Sequence, residues 1–409
     1  MSGPDDGSVG PVPLRQALRS RWALVAFATT LYWLAAHALR PLVALRLSEL
    51  GASDAYIGLV VASYSFLSLF LAIPGGRLID RVGTARVLVG AFLGMAGVGV
   101  GYALATTPQQ LLVIMTINGV TETGAWLALQ ALITYAGSGA FRSKQLAIFS
   151  FGWGLGVAVG PAVGALIFAR MGFAPLGWFF AALSLIALIG VSFVPFPRTA
   201  AQLAKDDPQT EHERAKISEI LARPAVCAVL LSSFVALFMN AIRMSFYPLY
   251  LERSGISVER IGFLLSVMGV ASLLIRVPLP AMLRRFGDGR VLVWGLWACV
   301  APMALTPWLT SYVALVVAAT IFGAAYGLNP PVTVEMMATY TKGHERGLAM
   351  GLRITSNRLS QVVQPLAFGA LAPVVGLGPA FPICGLALAG MTFWTARQTR
   401  RGVVGPVDE

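Results

Sequence analysis

Two stretches, Gly51-Ala52-Ser53-Asp54-Ala55-Tyr56-Ile57-Gly58 and Gly255-Ile256-Ser257-Val258-Glu259-Arg260-Ile261-Gly262, share a glycine, an isoleucine and a second glycine at an offset of 204 residues. The same offset relates Pro74, Gly83, Arg86 and Val87 to Pro278, Gly287, Arg290 and Val291. It also relates Arg142 to Arg346 and Pro161 to Pro365. With one residue of slippage, His37-Ala38-Leu39-Arg40 pairs with Asn240-Ala241-Ile242-Arg243. One such match arises by chance, but a series at one offset marks an internal duplication. The chain reads as two equivalent halves in parallel orientation.

Composition says what the halves are. Of 409 residues, 57% are hydrophobic and 12% charged, and the mean hydropathy is +0.75. A soluble protein carries about twice that charged fraction. Apolar runs between polar breaks lie near 22–46, 55–76, 87–107, 110–136, 145–169, 173–196, 224–250, 258–282, 291–310, 312–337, 347–371 and 377–396. A helix needs roughly 20 such residues to cross hydrocarbon. The expected fold is an all-α membrane protein with twelve transmembrane helices in two pseudo-symmetric six-helix bundles. Residues 21–197 form the first bundle and 224–398 the second, joined by a linker at 198–223. Tails occupy 1–20 and 399–409. The linker holds a short amphipathic segment around Glu211–Leu221, and residues 1–13 read as disordered. No small-residue cleavage site follows a short apolar core, so no signal peptide is expected.

Orientation follows from lysine and arginine on alternate loops. The side holding both termini carries 21 of the 30 basic residues, the other side four, and the spans five. Both termini are therefore expected in the cytoplasm, in a multi-pass protein of the cytoplasmic membrane. With acids included, the net charge of +12 divides into +9, 0 and +3. Topology accounts for most of it, so the lipid bilayer is the expected partner and nucleic acid is not. Cys227, Cys299 and Cys384 sit in apolar runs with neither disulfide nor zinc spacing. No P-loop, dinucleotide fingerprint or nucleophile elbow is present, and the histidines are His37, His212 and His344. No cofactor, metal or catalytic residue is expected, and the chain does not read as an enzyme.

The loop after the second run reads Gly76-Arg77-Leu78-Ile79-Asp80-Arg81-Val82-Gly83-Thr84-Ala85-Arg86. It resembles the G-x-L-x-D-R-x-G signature of the major facilitator superfamily, and the likeness extends over residues 20–398. Thr84 and Ala85 intervene before the basic residue, and the second copy has Arg284 in place of Asp80. The resemblance implies a monomeric transporter whose halves rock about a midplane cavity. It also implies a cytoplasmic latch made by Asp80, Arg81 and Arg86, favouring the outward-open state. Solvated loop charge is the other reading. Gly76 and Gly83 suit close helix contact and a tight turn. In the fifth run, Gly152, Gly156, Gly160 and Gly164 recur every fourth residue, a groove for another backbone. With Pro161 this resembles the family's antiporter motif. However, no lysine or arginine lies between 108 and 136, where the family's drug antiporters usually carry an arginine.

Ionisable groups at bilayer depth are costly, about 2.5–3.5 kcal/mol for a central arginine. Arg40 and Arg243 are expected to attract an anionic substrate or to snorkel outward, with His37 and Asn240 one turn deeper. Glu122 shares a stripe with Asn118 and Trp126. Burial disfavours a charged carboxylate, so Glu122 suits proton coupling, an ion pair with a buried arginine, or direct substrate contact. In the eleventh run Arg353, Asn357, Ser360 and Gln364 form a polar stripe, with Arg358 and Gln361 beside it. Arg358, nearest the middle, is expected to be a substrate or counter-ion ligand, whereas Arg353 belongs to an inner gate and Arg276 is a gate or structural charge. Trp33, Trp126, Tyr32, Tyr247 and Tyr326 offer stacking to a planar solute. Asn329-Pro330-Pro331 is expected to interrupt the tenth run. The reading is a proton-coupled secondary transporter of a small anionic or zwitterionic organic solute. A multidrug or metabolite/proton antiporter is the alternative, followed by a membrane enzyme or sensor on the same scaffold.

Overall fold

The computed structural model describes residues 20–134, 139–194, 217–342 and 345–401. Within them every element is helical. The first half comprises α1 (Ala23–Glu49), α2 (Asp54–Val82), α3 (Thr84–Leu104), α4 (Pro108–Thr134), α5 (Gly139–Met171) and α6 (Phe173–Ser192). A short α7 (Ile217–Leu221) precedes the second half; the upstream part of the expected linker helix lies outside the described residues. The second half comprises α8 (Pro224–Arg243), α9 (Phe246–Arg253), α10 (Val258–Leu274), α11 (Leu279–Phe286), α12 (Asp288–Ala304), α13 (Tyr312–Thr339), α14 (Arg346–Val375) and α15 (Leu377–Arg401).

Among the described residues nine helical spans are long and apolar enough to cross a membrane, with α8 and α9 counted as one. Joining α10 to α11, bent by 62°, makes ten. The two remaining segments differ in kind: α12 has 17 residues, and α14 has 30 but carries the polar stripe. Large apolar side chains such as Phe66, Phe70, Val313, Leu386 and Phe393 stand exposed around the bundle. A face of that kind is tolerated when lipid covers it.

The duplication is visible in the backbone. Among the described residues six have positive φ, all glycine, and they pair at the sequence offset: Gly51 with Gly255, Gly83 with Gly287, Gly172 with Gly376. Gly83 (φ 98°, ψ 143°) and Gly287 (φ 79°, ψ 154°) end α2 and α11 in the same conformation, one that a Cβ disfavours. Ser53 caps α2, its Oγ accepting from the Tyr56 amide at 3.3 Å, and so satisfies one free donor of the first turn. Helix pairing repeats as well. A Cβ on Gly119 of α4 would run into the Tyr64 carbonyl of α2, and one on Gly323 of α13 into the Met268 carbonyl of α10.

The halves meet along two equivalent seams. Gly58 of α2 packs on the Pro365 carbonyl and Gly369 of α14, and Gly262 of α10 packs on the Pro161 carbonyl and Ala165 of α5. Small residues let these backbones touch. The seams are closed at the Gly51 end by Arg253, 2.8 Å from Asp54 and hydrogen-bonded to Ser48 at 3.3 Å. Deeper, Ser65 donates to Gln361 (3.4 Å) and the Ala162 amide to Ser266 (3.0 Å). At the opposite end α11 turns away and packs on α12 of its own half.

Two expectations about continuity are corrected. α13 runs unbroken through Asn329, Pro330 and Pro331. Proline is accommodated in a membrane helix when neighbours satisfy the freed groups; here Thr333 donates to the carbonyls of Asn329 (2.7 Å) and Pro330 (3.1 Å). The interruptions fall elsewhere, at Met244–Ser245 between α8 and α9 and at Ile275–Pro278 between α10 and α11. The first-half counterparts α1 and α2 stay continuous through Pro41 and Pro74.

Candidate functional site

Nine residues in from the Gly51 end of α1, about 14 Å at 1.5 Å per residue, Arg40 points into the first bundle. Its Nη2 forms an ion pair with Glu122 of α4 and donates to the Tyr64 hydroxyl of α2. Tyr64 in turn donates to the same Glu122 oxygen at 2.8 Å, and its ring lies 4.1 Å below the guanidinium carbon. Glu122 is 1% exposed and Arg40 15%. The Tyr32 hydroxyl donates to the Glu122 backbone carbonyl at 3.3 Å. Two charges removed from water together hold only with such supporting hydrogen bonds. The network is nevertheless incomplete, since Glu122 Oε1 and Arg40 Nε are buried without a partner. Of the three uses open to Glu122, the geometry forms the ion pair.

Arg243 ends α8 at the matching point of the second half, and its surroundings differ. It is 2% exposed. Its Nε donates to Asn240 Oδ1 at 3.0 Å, and its guanidinium carbon lies 6.0 Å from the Tyr326 ring. Among the described residues no carboxylate lies within ion-pair distance of it. Tyr326 stands 204 positions after Glu122, so an aromatic ring occupies the acid's place. Neither arginine snorkels to the surface.

A second cluster lies beside this one. Gly156 and Gly160 of α5 leave room for Trp33 and His37 of α1, whose Cβ atoms approach within 2.8 and 2.9 Å of where theirs would be. The glycine stripe therefore holds α1 within the first half, while Pro161 and Ala162 on another face meet α10. Trp33 sits among Trp126 of α4 (5.3 Å between rings), Trp153 of α5 (5.8 Å) and His37 (5.2 Å). Phe149 stacks on Trp126 at 5.9 Å. Arg276, in the bend of the second half, places its guanidinium 5.1 Å from the Trp153 ring. His37 is 5% exposed, with Nδ1 3.2 Å from the Trp33 carbonyl. Gly164 packs on the Ala38 backbone.

The α14 stripe divides. Gln361 meets Ser65 of the other half and donates to the Asn357 carbonyl at 3.2 Å. Gln364, fully buried, accepts from Ser245 in the α8–α9 break at 3.4 Å. Asn357 Oδ1 is buried without a partner. Arg358 is half-buried. Arg353 donates to Thr333 of α13 at 3.3 Å. Asn118 turns from the Glu122 stripe to Tyr102 (3.4 Å). Arg81 and Arg86 are exposed; the side chains of Asp80 and Arg77, and the surroundings of Gly76, lie outside the described residues. Sequence reasoning passed over Tyr64 and Trp153. The signal for Tyr64 is a tyrosine well inside an apolar run, away from the interface where tyrosine gathers.

This geometry suits recognition and movement of a solute between two bundles. The sequence pattern of the Major Facilitator Superfamily matches residues 25–257 and 229–408. The chain is 22% identical to an MFS-type transporter of Methanocaldococcus jannaschii, covering 82% of this chain and 87% of the relative. It is 21% identical to the quinolone resistance protein NorA of Staphylococcus aureus, covering 88% and 92%. The crystal structure of the nucleoside transporter NupG superposes with a TM-score of 0.76 at 15% identity, over 93% of this chain and 99% of that one.

Proposed function

The chain belongs to the Major Facilitator Superfamily and is a secondary transporter; from that premise we propose that its solute is a small organic anion or zwitterion, carried with a proton. The observation that carries this reading is Arg243, a buried cation with no acid beside it among the described residues, at the break of α8. Such a charge is costly unless a counter-ion arrives, and a carboxylate from the solute meets that need. Arg358, Asn357 and Gln361 supply further polar groups from α14. Glu122 couples the proton. While ionised it holds Arg40, and once protonated it releases Arg40 to the solute, so proton and anion act on one guanidinium.

By the distribution of basic residues, the closed Gly51 end faces outward. On this reading the protein is a monomer in the cytoplasmic membrane with both termini inside. The test is a thermal-shift series on purified protein with organic acids, their amides and organic amines of matched shape. Acids alone are expected to stabilise, and Arg243→Ala to remove the effect. Equal stabilisation by amines rejects the reading. For coupling, Glu122→Gln in proteoliposomes is expected to abolish uptake driven by a pH gradient while sparing exchange.

A second reading, drug or metabolite export by proton antiport, is favoured by the relation to a quinolone resistance protein and by the α5 glycine–proline stripe. Efflux from inside-out vesicles energised by a proton gradient separates it from import.

A further inference from the structure

The apolar part of the solute has its own place in the molecule. Trp33, Trp126 and Trp153 converge within 5.9 Å of one another from three helices of the first half. The Nε1 atoms of Trp33 and Trp153 are buried without an acceptor. A buried donor left unpaired carries a penalty of desolvation, so packing alone is a poor account of two of them. Arg276 of the second half lies over Trp153 with its Nε also unpartnered. Arg243 lies 6.0 Å from the Tyr326 ring, the next residue, Gly327, packs on Ser272 and Ile275 beside Arg276, and His37 touches Trp33. Two cations without described acid partners thus border an indole cluster offering flat faces and spare donors. An organic cation, though attracted to indole faces, meets Arg243 and Arg276 there. A flat anion satisfies both halves of the arrangement.

From this juxtaposition we infer that the transported solute is a planar aromatic carboxylate, its ring against Trp33, Trp126 and Trp153 and its carboxylate between Arg243 and Arg276. The inference rests on the anion reading above and adds the ring. The indole N–H groups of Trp33 and Trp153 serve polar substituents on that ring. The carboxylate serves Arg243 as the Glu122 carboxylate serves Arg40.

The experiment is calorimetric titration of the full-length protein in nanodiscs with three probes: 2-naphthoate, the saturated decahydro-2-naphthoate and neutral 2-naphthalenemethanol. The expected result is that 2-naphthoate binds at least tenfold more tightly than the saturated acid, and that the alcohol binds weakly. Trp126→Leu is expected to erase the preference and Trp126→Phe to keep it. Trp153→Phe tests the donor separately, because it retains the ring. Its expected effect is a several-fold loss for 6-hydroxy-2-naphthoate relative to 2-naphthoate. Equal binding of the two acids, both lost in Arg243→Ala, overturns the aromatic inference and leaves the anion reading standing. Binding of the alcohol as tight as that of the acid, or binding of neither acid, overturns both. If Trp126→Leu fails to fold, the wild-type preference between the two acids decides the matter.

Discussion

Arg40 and Arg243 occupy matching turns of α1 and α8, yet α4 brings a carboxylate to the first and α13 a tyrosine ring to the second. The backbones around them are the same design, as the paired glycines and the equivalent seams show. Two copies of one scaffold have thus been given different charge. The first half neutralises its arginine internally and keeps α1 and α2 continuous. The second half, among the described residues, leaves its arginine without an acid and breaks the corresponding spans at Met244–Ser245 and Ile275–Pro278. The difference teaches a division of labour: an arginine with its own counter-charge in one half, beside one that awaits a ligand's in the other.

The sharpest way to break that comparison is to remove the acid. Glu122→Ala leaves Arg40 buried and uncompensated, with an expected loss of about 3–5 kcal/mol in stability, read by thermal or denaturant unfolding in detergent. Arg40→Ala in addition is expected to restore part of it. Arg243→Ala is expected to be close to neutral by the same measurement; equal losses would end the distinction between the halves. Next in size, Tyr326→Glu copies the first half into the second. Arg243 then gains an internal partner, and anion affinity is expected to fall about 30- to 5,000-fold, the 2–5 kcal/mol of a desolvated charge pair. Unchanged binding of 2-naphthoate would show that Arg243 does not face the solute.

Smaller effects probe the seams, which the halves share. Gly58→Ala places a methyl against the Pro365 carbonyl, with an expected cost of about 1–3 kcal/mol to the closed arrangement. Gly262→Ala is expected to act alike through Pro161. Increased labelling of a cysteine placed near Ser65 reports both. Smallest is Arg253→Ala, since an exposed ion pair contributes about 0.2–1 kcal/mol. A shift of at most fivefold in the same labelling is expected.

Much of the fold was legible because repetition and apolar run length are properties of sequence itself. The offset relating Gly51 to Gly255 and Gly83 to Gly287 carried directly into backbone conformation. Breaks were less legible. Pro330 and Pro331 announce an interruption, but Thr333 supports their turn, while α8 ends at Arg243 with no proline or glycine in the Met244–Ser245 break to mark it. At the site, Arg40 and Glu122 were each singled out, but their pairing spans 82 residues of sequence. Which of the five arginines within the spans meets an acid depends on how helices rotate, a property of packing that composition does not encode. Tyr64 and Trp153 were passed over for a related reason: aromatics in apolar runs are common, and their importance comes from neighbours on other helices.

The twin seams carry one more consequence. Gly58 on Pro365 and Gly262 on Pro161 are the same contact made twice, which is the hallmark of an isologous interface between identical subunits. A six-helix ancestor bearing one such patch would have dimerised by self-complementarity, and fusion only tethered what already associated. Severing the linker should therefore leave two fragments that find each other again when co-expressed.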